Sequence, residues 1–372
     1  MKKLLLLPLI TFVFAQLGFA QQLVLPSNGT NPRMTAGTRI GVTDVNLSWG
    51  APGVKGREGK VWGTGVAHYG FTNLGFGTAK ESPWRAGADE CTTISFSTDV
   101  TVEGKPLPAG KYGLFMVLAA DETTLIFSKN PNAWGSYFYD PKEDALRVTV
   151  RQQKDLPQSR ERLAYLLDDP TDHSVTVAME WERWRIPFKV EVDPVATGLA
   201  SIRSQMTSGL GFDPPSLQAA AQWCLTNNVN LEEALFWIES ATSPNLGGVQ
   251  TFSALNVQAG LLRKLGRTAE ADEAMKTALA KATVMELHGY GRQLVSEKKP
   301  KEALAVFEQN HKQNNGAWPT NVGLARGYSA NGDLKKALEH AKIALAQAPD
   351  ATNKTSLEAM IKTLSEGKPI AQ

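Results

Sequence analysis

The chain has 372 residues, enough for two domains, with 39 Lys and Arg against 37 Asp and Glu. The net charge of +2 excludes the strong positive field that nucleic acid or an anionic lipid surface would require. With only Cys91 and Cys224 at hand, no disulfide framework is possible; two buried free thiols are expected and the core itself must hold the fold.

The opening MKKLLLLPLITFVFAQLGFA sets two lysines before an apolar run and ends on small residues. That order predicts a secretory signal peptide cleaved after Ala20. The run from Leu4 to Phe14 falls short of the about 20 apolar residues a membrane-spanning helix needs, so no stable membrane anchor is expected. Export to the periplasm or beyond the cell follows, with residues 21–37 as an N-terminal linker.

Residues 38–193 read as strands. In VTVAMEW, Val175, Val177, Met179 and Trp181 share one face; in ALRVTV, Leu146, Val148 and Val150 do; in IPFKVEV, Ile186, Phe188, Val190 and Val192. Alternation with a period of two marks strands with one face on a core. With TRIGVTDVNLSW, TTISFSTDVTV, KYGLFMVLA, TTLIFSK and RERLAYLL, the segment predicts an antiparallel β-sandwich-like domain. EGKPLPAGKY is its clearest turn, expected to fold the flanking strands back on each other.

Past Asp193-Pro194 the apolar spacing changes to three and four. A linker helix is expected over 194–212 and helical repeats with a C-terminal cap over 213–372. LEEALFWIESA, TAEADEAMKTALAKA, PKEALAVFEQN and LKKALEHAKIALAQAP superpose on Ala234, Ala271, Ala303 and Ala337, spaced 37, 32 and 34 residues apart. A large residue follows four later in the first three (Ile238, Met275, Phe307), Gly266 and Gly332 sit where helices should end, and Pro349 closes the last. These features resemble tetratricopeptide repeats. Ala341 departs from the pattern, and the first unit is stretched.

PGVKGRE, WRAGADECTTISFSTDVTVEGKPLPAGKYGLF, AWGSYFYDPKEDALRVTV and AMEWERWRIPFKVEV, in that order, resemble a family of exported bacterial proteins, largely from Bacteroidetes-type Gram-negatives, defined only as domain-of-unknown-function family 2911. The resemblance covers roughly residues 35–193, and relatives often carry a helical repeat tail. It implies a domain but no reaction. Relatives usually place Asn where this chain has Asp89, and their segment before Trp84 is shorter than HYGFTNLGFGTAKESP.

Two candidate sites emerge. At the approach to a strand, SPWRAGADE offers Trp84 and Arg85 as ligand-binding residues and His68, Arg85, Asp89 and Glu90 as catalytic candidates. Neighbouring strand residues face opposite ways, which argues against Asp89 and Glu90 sharing a substrate, and a structural role for the cluster is favoured. PGVKGREGKV fails as a phosphate loop because Gly53 and Gly59 stand one residue too far apart and Val61 replaces the hydroxyl. The histidines form no metal motif, so neither metal nor cofactor is expected. In the repeats, register places Asn256, Arg263, Lys264, His288, Arg292 and Arg326 along the groove, a basic stripe suited to carboxylates of a protein or peptide partner. The function expected is that of an exported interaction or scaffold protein, more a binder than an enzyme. A carbohydrate-binding or hydrolase-like protein with its site at the β-domain lip is the alternative, and a purely structural envelope component a third.

Overall fold

The computed structural model describes residues 31–370; the expected signal peptide and its cleavage position lie outside the described residues. The described residues divide into two compact units, the first ending at Thr197 and the second beginning at Gly198.

The first unit is a sandwich of two antiparallel sheets. One comprises β1 (Arg33–Ile40), β2 (Thr43–Gly50), β3 (Ala88–Phe96), β6 (Gly110–Leu118), β7 (Glu122–Ser128) and β8 (Asp144–Arg151), hydrogen-bonded in that order. The other runs β5 (Lys105–Leu107), β4 (Val100–Val102), β11 (Trp184–Glu191), β10 (Ser174–Glu182) and β9 (Arg160–Asp168). The alternation is realised as expected: Val175, Val177, Met179 and Trp181 join Ile186, Phe188 and Val190 in one apolar core with Ile94, Leu114 and Val148 of the facing sheet. Strand β1 pairs with β2 from Arg33 onward, so the segment read as a linker to residue 37 already belongs to the sheet.

EGKPLPAGKY does more than one turn. Glu103 and Gly104, both with positive φ, close a two-residue hairpin between β4 and β5 in the second sheet, and the chain then crosses back to begin β6. The strands that pair across this excursion are β3 and β6.

The connection from β2 to β3 lies folded against the core, burying Val54, Val61, Ala67 and Trp84. Trp84 exchanges two backbone hydrogen bonds with Met116, both 2.9 Å, so this connection is an added edge of the sheet and not a free loop.

The helices are α1 (Pro194–Met206), whose first turn belongs to the first unit, and α2 (Pro214–Asn227), α3 (Leu231–Thr242), α4 (Phe252–Lys264), α5 (Thr268–Lys281), α6 (Val284–Ser296), α7 (Pro300–Gln313), α8 (Trp318–Ala330), α9 (Leu334–Gln347) and α10 (Ala351–Ser365) of the second. They form consecutive helical hairpins. Ala234, Ala271, Ala303 and Ala337 each occupy the fourth position of the second helix of a pair, and all are fully buried. A methyl group at each crossing lets the helix axes approach closely. The stretched first spacing is the short 3₁₀ turn Pro244–Leu246 inserted between α3 and α4. Gly266 and Gly332 take φ of 78° and 85° after α4 and α8, the left-handed stop that favours glycine.

The region read as a linker helix is part of the packed unit: α1 lays Leu199, Ile202 and Met206 on the helical core. At the other end α10 packs Leu357, Met360 and Leu364 against α9. Phe307 of α7 is completely buried, and a Cβ placed on Gly291, Gly323 or Gly327 would run into its ring. That socket explains three glycines inside helices, where each costs up to about 1 kcal/mol of propensity relative to alanine.

Candidate functional site

At the lip of the β unit the expected residues do not converge as a group. Trp84 is only 3 % exposed; its ring stacks on Trp181 at 6.2 Å and meets Trp62 edge-on at 5.8 Å. It is a core residue, which removes it as an exposed ligand platform. Glu90 is exposed and pairs with Arg33 at 3.5 Å. His68 Nδ1 lies 3.2 Å from the Gly70 carbonyl; burial, and to a lesser degree the Arg85 charge, lower its pKa. Glu90 is absent from the lining of the cavity that Asp89 borders.

Arg85 and Asp89 do meet. They border a cavity of about 550 Å³ whose lining also includes Asn31, Lys55, Arg57 and Trp181. Arg85 donates to the Asp89 carbonyl and to the Tyr137 hydroxyl, both at 3.3 Å, and lies 5.0 Å over the Tyr137 ring. Asp89 adopts a φ of 61° and accepts from the Asn31 amide at 3.3 Å. The left-handed conformation suits Asp and Asn better than most residues, because the short polar side chain can hydrogen-bond locally.

The PGVKGREGKV stretch makes no phosphate loop, since no helix follows it. Arg57 instead clasps its own loop, donating to Val54 and Gly53 carbonyls at 2.9 and 2.7 Å. Glu182, 6 % exposed, accepts from the Gly59 N–H at 3.1 Å and the Trp62 indole at 3.0 Å. Trp62 then stacks on Trp184 at 4.5 Å. These contacts tie the loop to the β10–β11 turn.

In the helical unit three of the six stripe residues come together. Arg292 of α6 and Arg326 of α8 line a cavity of about 700 Å³ with Val295, Leu334 and Ile370. His288, one turn before Arg292, borders a smaller adjoining space with Arg326, Trp318 and Met360. Burial, then the charges of Arg326 and Arg292, push the His288 pKa down to about 4, so the ring is neutral at physiological pH. Burial and Arg292 likewise lower the Arg326 pKa. Asn256 and Lys264 do not line this cavity. Arg263 belongs to a different one between α5 and α7, where it pairs with Asp272 at 3.5 Å. Helical register alone predicted a continuous stripe; helix packing divides it.

Sequence reasoning missed Asn31, Lys55, Arg57 and Trp181 at the first cavity and Ser329 and Ile370 at the second. Lys55 and Arg57 stand in a motif that fails as a phosphate loop and otherwise carries only the family resemblance, and Trp181 has the parity of a core residue. Both thiols are free and buried, and burial pushes the Cys91 pKa up to about 12. Among the described residues no helix is long and apolar enough to cross a membrane.

The family described as "Protein of unknown function (DUF2911)" matches residues 31–190. No curated protein matches the chain. Among solved structures, "Crystal structure of YrrB: a TPR protein with an unusual peptide-binding site" is 17% identical, covering 45% of this chain and 92% of that one, with a TM-score of 0.26. A tetratricopeptide repeat protein from Parabacteroides merdae is 18% identical over 47% of this chain and 68% of that one, with a TM-score of 0.29. The repeat assignment itself rests on the helix pairs and their four alanines. Residues 31–190 thus fit a DUF2911 domain, and a tetratricopeptide-like helical region follows it.

Proposed function

We propose that the protein is an exported interaction module whose helical unit captures an extended, acidic segment of a protein partner on the α6–α8 face. The carrying observation is the convergence of Arg292 and Arg326 on one cavity with apolar walls from Val295 and Leu334. Guanidinium groups in a partly desolvated groove favour carboxylates, and the apolar walls accept the side chains between them. The face already holds a stretch of chain: Pro369 and Ile370 line it, and the Ile370 N–H donates to the Ser329 hydroxyl at 2.8 Å.

Fluorescence anisotropy with labelled decapeptides alternating Glu and Leu tests this reading, with Lys–Leu peptides as the control. Arg292→Glu should weaken the acidic peptide at least about tenfold, as expected for loss of a charged hydrogen bond and its replacement by repulsion. Arg326→Glu should do the same provided its circular dichroism melt is native. Unchanged binding in both variants would rule out the groove. Export is supported by the leader pattern in residues 1–20; N-terminal sequencing of protein from cell fractions should find Gln21 first and the protein outside the cytoplasm.

A further inference from the structure

We infer that the cavity at the lip of the β unit binds a small molecule through an oxyanion, a carboxylate or phosphate group, held by Lys55, Arg85 and the indole N–H of Trp181. This site lies within the β unit and is independent of the peptide groove.

Charge is the first observation. Lys55, Arg57 and Arg85 all line the cavity, and none of them enters a salt bridge among the described residues. The acidic lining residue, Asp89, leaves the cations in excess, so the cavity keeps a net positive charge. A protein with almost balanced charge has acids to spare, and cations facing one concavity without them present a field that an anion would complete.

The second observation is independent. Trp181 lines the cavity, is 1 % exposed, and its Nε1–H is buried without an acceptor. Leaving a buried donor unpaired costs about 1–3 kcal/mol, so such groups call for a partner the protein does not supply. Trp62, in the same aromatic cluster, has its indole donor satisfied by Glu182; Trp181 has no equivalent.

The backbone around the cavity is held in costly conformations. Lys55, Ala86 and Asp89 take φ of 52°, 52° and 61°, and Glu182, next to Trp181, takes 51°. Left-handed conformations at residues other than glycine cost on the order of 1 kcal/mol or more each and persist where surrounding structure requires them. The Glu182 value is set by the two-residue turn between β10 and β11, while Lys55 and Asp89 themselves line the cavity. Asp89 would meet a donor beside the oxyanion, which favours a hydroxy acid or a sugar phosphate over a bare anion.

The test is a titration of uniformly ¹⁵N-labelled protein, following indole N–H cross-peaks with Trp181 identified through Trp181→Phe. Citrate and glycerol phosphate are the probes, with sodium chloride at matched ionic strength as control. The proposal expects the Trp181 cross-peak to move with at least one probe and not with chloride; which probe acts tells carboxylate from phosphate. Arg85→Gln and the more exposed Lys55→Gln should each weaken that response about tenfold. Asp89→Asn, which keeps the left-handed backbone, should strengthen inorganic phosphate several-fold. A Trp181 signal that ignores both probes, responds equally to chloride, or responds unchanged in both Arg85→Gln and Lys55→Gln overturns the site.

Discussion

The helical unit and the β unit solve the same packing problem with different sequence distances. In the helices, each buried alanine meets a partner helix a few tens of residues away, and the solution repeats along the chain. In the sandwich, Trp49 of β2 donates to the carbonyl of Leu163, 114 residues on. Nearest-neighbour stacking confines the effect of a change to adjoining repeats, whereas a sandwich core shares its packing across both sheets.

The largest expected effects test this contrast directly. Phe307→Ala should cost the helical unit about 3–5 kcal/mol, because the three-glycine socket would be left empty. Trp181→Ala should cost the β unit a similar about 3–5 kcal/mol. Hydrogen exchange should then show the Phe307 change concentrated in α6–α8, while the Trp181 change spreads through both sheets; the reverse distribution would break the comparison. Adding bulk is the milder insult: Gly323→Ala should destabilise by about 1–3 kcal/mol through collision with Phe307. Combined with Phe307→Leu it should cost less than the sum of the two.

Acid should separate the units next. His288 has its pKa lowered from 6.5 to about 4, so between those values the unfolded chain binds a proton that the folded helical unit refuses. Stability from this group is complete above about pH 6.5 and falls as pH drops toward 4, by up to roughly 3 kcal/mol. Urea melts of His288→Leu should show a flatter pH dependence through that window; an unchanged slope would mean the ring titrates normally. The smallest effect belongs to the lip's exposed acid. Glu90→Gln removes a solvent-exposed pair with Arg33 and should change stability by no more than about 1 kcal/mol.

Much of the architecture was legible because its signals are local. Period-two alternation from Val175 to Trp181 located a strand and its buried face, and a fixed interval between Ala271, Ala303 and Ala337 located the helix crossings. The basic stripe was half legible: His288, Arg292 and Arg326 come together, since α6 and α8 lie side by side, while Arg263 turns to Asp272 on a neighbouring helix. Register specifies a face of one helix; which neighbour covers that face is a property of the stack. For Trp84 the sequence leaves a ligand platform and a structural role both open, because a tryptophan beside Arg85 looks the same in sequence whether its ring is wet or lies against Trp181 and Trp62.

What the sequence determined by itself, then, is the rhythm: strands up to Glu191 and helices from Pro194, since burial of alternate residues or of every third and fourth is written in consecutive positions. Only the tertiary structure decided which polar groups face one another. Asn31, Lys55, Arg85 and Trp181 have no periodic relation, and they share a cavity because two sheets close and a folded connection crosses their edge. Proximity of that kind depends on long-range closure, which no local pattern of hydrophobicity encodes.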